Sequence, residues 1–146
     1  MNKVETKRQP FLRTAKYYET DQMGVIHHSN YIRWFEEARL DLMNKMGFSY
    51  DKMEKVGIIS PVISISCEYK SAVKFNDTVA VIPKIEFFNG VRMTVTYEVI
   101  DYKSNELRAT GQSKHCFLSK ETLKPVKMKQ DFKEVYELFL SITEGI

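Results

Sequence analysis

Apolar and polar positions along this chain change their period twice, and each regime predicts a different element. Phe11 to Glu19 mixes aromatics with Arg13, Thr14 and Lys16 and reads as a first strand. A polar, glycine-containing loop follows, from Thr20 to His28. Then Tyr31, Trp34, Phe35, Ala38, Leu42, Met43 and Met46 recur at steps of three and four, while Arg33, Glu36, Glu37, Asp41 and Asn44 fill the other side. That is the period of a long amphipathic helix with an aromatic buried face. Ser29 or Asn30 can cap its start, and Gly47 can end it in the left-handed conformation. A shorter helical turn is expected over Tyr50 to Val56.

From Ile58 the period becomes two. Ile63, Ile65, Cys67 and Tyr69 share one face of a strand against Ser64, Ser66, Glu68 and Lys70. Val79, Val81, Ile85 and Phe87 follow, against Ala80, Ile82, Lys84 and Glu86. Asn89-Gly90 is a hairpin signal, after which Val91, Met93, Val95, Tyr97 and Val99 alternate with Arg92, Thr94, Thr96 and Glu98. Leu107 to Leu118 supplies a further strand, and Phe132, Val135, Tyr136, Phe139 and Leu140 place a terminal helix within Gln130 to Ile142. The expected order is strand, long helix, four strands in antiparallel succession, short helix. Pattern alone reaches an α+β layer with one long helix on a five-stranded antiparallel sheet; such a sheet wrapped around an aromatic-lined helix is the arrangement called the hotdog fold.

Composition narrows the class. The 146 residues fit one domain (1–146), and 43% hydrophobic with 12% aromatic residues can fill its core. No stretch reaches the roughly 20 apolar residues that cross a bilayer, and the charged first ten residues lead into no apolar leader. Cys67 and Cys116 form no C-x-x-C pair, a usage suited to a reducing compartment. A cytoplasmic location is the expectation. A net charge of +3 helps attract a phosphorylated ligand but is too weak and dispersed to argue for nucleic acid. His27, His28, His115 and the cysteines have no recognised metal spacing, because adjacent His27 and His28 are expected to diverge; no metal and no cofactor is expected.

The candidate chemistry lies before the helix. Asp21 sits in the loop whose end exposes the first backbone N–H groups of the helix, which have no intrahelical partners and attract anions. A carboxylate near such donors is favoured in its ionised form. The same donors can polarise a carbonyl and hold the oxyanion formed when it is attacked. A base or nucleophile beside an electrophile-activating site is what acyl transfer to water requires.

The run Y-x-x-T-D-x-x-G-V-x-x-H-x-x-Y from Tyr17 to Tyr31, followed by Trp34-Phe35 and E-x-A-R over Glu36 to Arg39, resembles the signature of the 4-hydroxybenzoyl-CoA thioesterase family. It is most similar to the bacterial acyl-CoA thioesterases associated with the Tol-Pal system, which also carry His at position 28, where the hydroxybenzoyl-CoA enzyme has an aromatic residue. The resemblance implies hydrolysis of an acyl-CoA to free acid and CoA. It places the catalytic carboxylate, nucleophile or general base, on Asp21. The carbonyl-binding helix-start amide falls on His28, whose role is then main-chain. Tyr31 would line the acyl pocket, although the helix period explains it equally as core. The strand hairpin with Gly90 and Arg92 would approach the CoA, with Arg92 able to meet a phosphate; a solvent-facing strand residue is the simpler reading. Edge-to-edge pairing into a dimer or a dimer of dimers, a homotetramer, would put the sites between subunits.

Rival readings are a thioesterase acting on acyl carrier protein, an acyl-thioester dehydratase pairing a histidine with Glu36 or Glu37, and a non-catalytic acyl-CoA sensor.

Overall fold

A computed structural model describes residues 10–144, without the side chain of Glu144; the charged start, residues 1–9, lies outside the described residues. The predicted long helix, α1, runs over Ser29–Lys45 and buries Tyr31, Trp34, Phe35, Ala38, Leu42 and Met43, six of the seven apolar positions its period selects. It ends at Gly47, whose φ is +84°. Its start differs from expectation. Neither Ser29 nor Asn30 caps it, because the chain is already helical at His28 (φ −55°, ψ −30°) and the extended backbone of a capping residue is not available. The Ser29 N–H goes instead to the His27 ring (3.2 Å) and the Asn30 amide to the Glu19 carbonyl (2.9 Å). The short helix α2, Tyr50–Lys55, is capped by the Ser49 hydroxyl, which accepts from the Lys52 N–H.

Among the described residues seven strands are formed: β1 (Phe11–Thr14), β2 (Ile58–Ile59), β3 (Val62–Tyr69), β4 (Thr78–Phe88), β5 (Arg92–Asp101), β6 (Leu107–Cys116) and β7 (Leu118–Ser119). The small β2–β7 pair stands apart, and the main antiparallel sheet has the order β1-β4-β5-β6-β3. The four strands after the helix are therefore not a simple succession. β3 pairs with β6 at one edge, and residues 70–77 cross to β4 beside the other edge. On the way they dock on the candidate loop: the Ile26 N–H donates to the Val73 carbonyl at 2.8 Å, and Val25 bridges Lys74.

Several local readings are also corrected. β1 stops at Thr14, because Tyr17–Glu19 forms a 3-10 turn closed by the Glu19 carboxylate accepting from the Lys16 N–H. In β4 a register shift between Ile85 and Phe87 turns the alternation over, so Phe88 is buried and Phe87 is half exposed. Ala80 and Ile82, expected on the polar face, are buried in a small second cluster with Ile100. Pro83, with no N–H to give, lies two residues beyond the last described β1 rung, Phe11 opposite Val81. The C-terminal helix divides at Phe132 into α3 (Met128–Asp131) and α4 (Lys133–Glu144).

The sheet closes on α1 because its floor is small where the helix is large. The Phe35 ring stacks on Tyr97 at 4.4 Å, over Gly111, and a Cβ built at Gly111 would collide with Phe35. Ala109 and Ser113 continue this low floor on β6. A buried polar chain runs beneath it. Arg39 Nη1 donates to the Tyr97 hydroxyl (3.3 Å), Tyr97 and Ser113 hydroxyls lie 2.6 Å apart, and Ser113 Oγ is 2.7 Å from His115 Nε2. Arg39 can only donate, so the chain runs toward an unprotonated His115 Nε2. Burial, with Arg39 adding to it, pushes His115 down to about 4.

Gly111→Ala should therefore cost about 1–3 kcal/mol by overpacking, read as a drop of several degrees in Tm; an unchanged Tm would mean the Phe35 ring can move aside. For His115, the unfolded chain takes up its proton near 6.5 and the folded chain only near 4. The unfolded state thus binds the extra proton between these values, and this contribution to stability is full above pH 6.5 and lost as pH falls toward 4. Resistance of wild type to urea should fall as pH drops through that window, and the slope should flatten in His115→Gln.

Candidate active site

Asp21 begins a tight turn that sequence and backbone build together. Its N–H donates to the Val25 carbonyl (2.8 Å), the Gly24 N–H returns to the Asp21 carbonyl (3.1 Å), and Gly24 takes a φ of +80° that a side chain would strain. Asp21 Oδ1 accepts from the Met23 N–H at 2.8 Å and more loosely from the Val25 N–H at 3.4 Å. The carboxylate is thereby oriented by one oxygen. Its second oxygen, Oδ2, has no hydrogen-bond partner among the described residues.

The two ends of this loop are tied to each other and to the helix. The Glu19 carbonyl accepts from the His27 N–H (2.8 Å) and from Asn30 Nδ2 (2.9 Å), and Thr20 bridges Ile26. His28 then stands at the helix start, with its own carbonyl held by the Tyr69 hydroxyl at 2.9 Å. Burial, with Cys67 beside it, pushes the Tyr69 phenol up to about 12, so it remains a donor. Burial likewise pushes up the Cys67 thiol, which makes that sulfur a poor nucleophile.

These pieces meet in an open cleft of about 330 Å³ lined by Asp21, Met23, Val25, Ile26, His28, Tyr31, Tyr69 and the first residues of the crossing segment, Lys70 to Ala72. Tyr31 and Tyr69 pack edge to face at 4.9 Å and form its aromatic wall. Of the residues singled out in the sequence, Asp21, His28 and Tyr31 are thus brought together. Gly90 and Arg92 are not. They sit at the β4–β5 turn, the opposite end of the sheet from the Thr78 and Tyr69 ends that frame the cleft. With eleven residues in β4, the separation is roughly 30 Å. Asn89 builds that turn by accepting from the Val91 and Arg92 N–H groups, and Gly90 is packed under the Tyr136 ring, where a Cβ would lie 3.1 Å from it.

His27 and His28 do not diverge; their rings stack at 4.1 Å, since the chain turns helical between them. Among the described residues, no group of three or more His, Cys, Asp or Glu could hold a metal ion. Glu36 and Glu37 line a separate groove with Arg13 and Arg33, one that Asp21 does not line, and Glu37 is paired with Arg13 at 3.2 Å. No helix among the described residues is long and apolar enough to cross a membrane.

Two residues shape the site through contacts that the sequence pattern does not reveal. Tyr69 reads in the sequence as one of an alternating set whose packing bears on pocket depth; its bond to the His28 carbonyl, 41 positions away, leaves no trace in the pattern. In the sequence Glu19 reads as the end of a strand. It is a buried carboxylate, 4% exposed, whose oxygens accept from Arg13 at two positions (3.2 and 2.9 Å), the Lys16 N–H (2.8 Å) and the Trp34 indole (3.0 Å).

The chain matches the thioesterase-like superfamily over residues 16–136. YneP of Bacillus subtilis (strain 168), named for acyl-CoA thioesterase activity, is 36% identical over 120 residues, covering 82% of this chain and 86% of that protein. The acyl-CoA thioester hydrolase YbgC of Escherichia coli O157:H7 is 24% identical over 114 residues, 77% of this chain and 81% of that one. Among solved structures, DHNA-CoA thioesterase from Staphylococcus aureus matches with a TM-score of 0.86 at 38% identity, over 93% of this chain and 91% of that one. The fold is the hotdog fold, and the chain belongs to the thioesterase-like superfamily.

Proposed function

We propose that this protein is an acyl-CoA thioesterase of the 4-hydroxybenzoyl-CoA type, converting acyl-CoA and water to free acid and CoA. The observation that carries this reading is that the Asp21 carboxylate and the start of α1 at His28 line one cleft. Asp21, oriented through Oδ1 and open at Oδ2, serves as nucleophile or as general base toward water. The His28 N–H, at the positive end of the α1 dipole, receives the thioester oxygen as it gains charge. Tyr31 and Tyr69 contact the acyl group. Their ring faces suit a planar aromatic acyl, in keeping with the name of the Staphylococcus aureus relative.

Arg92 and Gly90 enter only through a second subunit. β3 is a free edge whose Val62, Ile63, Ile65 and Tyr69 are exposed. Antiparallel pairing of β3 with its copy brings the partner's far sheet end, the end that carries the β4–β5 turn, toward the Tyr69 cleft. A dimer, alone or doubled, then places a guanidinium near the CoA phosphates.

Release of free thiol from 4-hydroxybenzoyl-CoA, DHNA-CoA and aliphatic acyl-CoAs tests the reaction. Wild type should turn over at least one of them, and Asp21→Asn should lower kcat by about 10²–10⁴-fold; a variant as active as wild type would remove Asp21 from the mechanism. Arg92→Ala should raise KM with little change in kcat. Mixed dimers of Asp21→Asn and Arg92→Ala chains should regain one intact site; if mixing restores nothing, the shared site is wrong.

A further inference from the structure

Two residues before Asp21, the chain buries a full carboxylate, and nothing in acyl transfer calls for it there. Glu19 is 4% exposed and accepts from three segments at once: β1 through the Arg13 fork, the incoming turn through the Lys16 N–H, and α1 through the Trp34 indole. Its main chain adds a fourth tie, since the Glu19 carbonyl accepts from the His27 N–H and from Asn30 Nδ2. Asp21 is two residues along from this anchor on one side. His28 follows His27, pinned to it on the other. The distance between the acting carboxylate and the helix-start amide is therefore set from Glu19, although Glu19 does not line the Asp21 cleft. It lines the separate groove that Glu36 and Glu37 also line.

Resting on the thioesterase reading above, we infer that Glu19 is a positioning residue of the reaction, fixing Asp21 against the His28 end of α1. The carboxylate is needed in its acceptor form. In Glu19→Gln the side-chain shape is kept, but one acceptor oxygen becomes an NH₂ donor facing donors on Arg13, Lys16 or Trp34. The clamp must then open on at least one side. Arg13 retains Glu37, so the variant does not leave an arginine without a carboxylate. A misplacement of about 1 Å at the reacting groups is enough to cost on the order of 10²-fold in rate.

The expected result is that folded Glu19→Gln loses kcat by about 10–100-fold while KM stays within about threefold. The comparison uses the acyl-CoA that wild type hydrolyses best, and melting curves establish the folded fraction used to normalise kcat. A fall in kcat of less than about fivefold, or a loss carried by KM alone, overturns the inference. A lowered Tm with unchanged kcat also overturns it and leaves Glu19 a purely structural carboxylate. Should Glu19→Gln not fold, Trp34→Phe, which deletes a single donor to Glu19, is judged by the same kcat and KM criteria. Absence of turnover in wild type would sink the thioesterase reading itself, an outcome distinct from all of these.

Discussion

The rest of the structure depends on how Phe35 is seated. An aromatic ring from the centre of α1 lies flat on Tyr97 and fills the space that a side chain at position 111 would need. Close packing leaves no slack in such a contact. A glycine on β6 and an aromatic on β5 thereby fix the height of the helix above the sheet. Trp34, one residue away, is carried to the Glu19 carboxylate, and the first turn of the helix is carried to Tyr69.

The cleft is then assembled from three distant pieces of chain. The loop supplies Asp21, the helix start supplies His28 and Tyr31, and the end of β3 with its crossing segment supplies Tyr69 to Ala72. Each piece is bonded to the next by main-chain groups, through Ile26 to Val73 and His27 to Glu19. A backbone-built site of this kind is pre-organised, which is what stabilising a developing oxyanion requires.

Much of this was legible in the amino-acid sequence, and the reasons differ by element. The α1 face could be read almost residue for residue because its period is local. The loop motif brings Asp21 and His28 to one cleft because only seven positions separate them. Strand order could not be read, since β3 pairs with β6 through contacts forty or more positions apart that leave no periodic trace. The turned-over end of β4 was hidden for a different reason: both Phe87 and Phe88 are apolar, so nothing marks the register shift. Glu19 escaped because a buried carboxylate is identified by its donors, and Arg13 and Trp34 are only neighbours after folding.

β3 carries a consequence that reaches beyond one molecule. Its eight residues include the tyrosine that walls the cleft and the exposed apolar side chains of a sheet edge. Whatever lies along that edge abuts the Tyr69 end of the cleft. A substitution on this short strand would therefore change the cleft wall and the exposed sheet edge together.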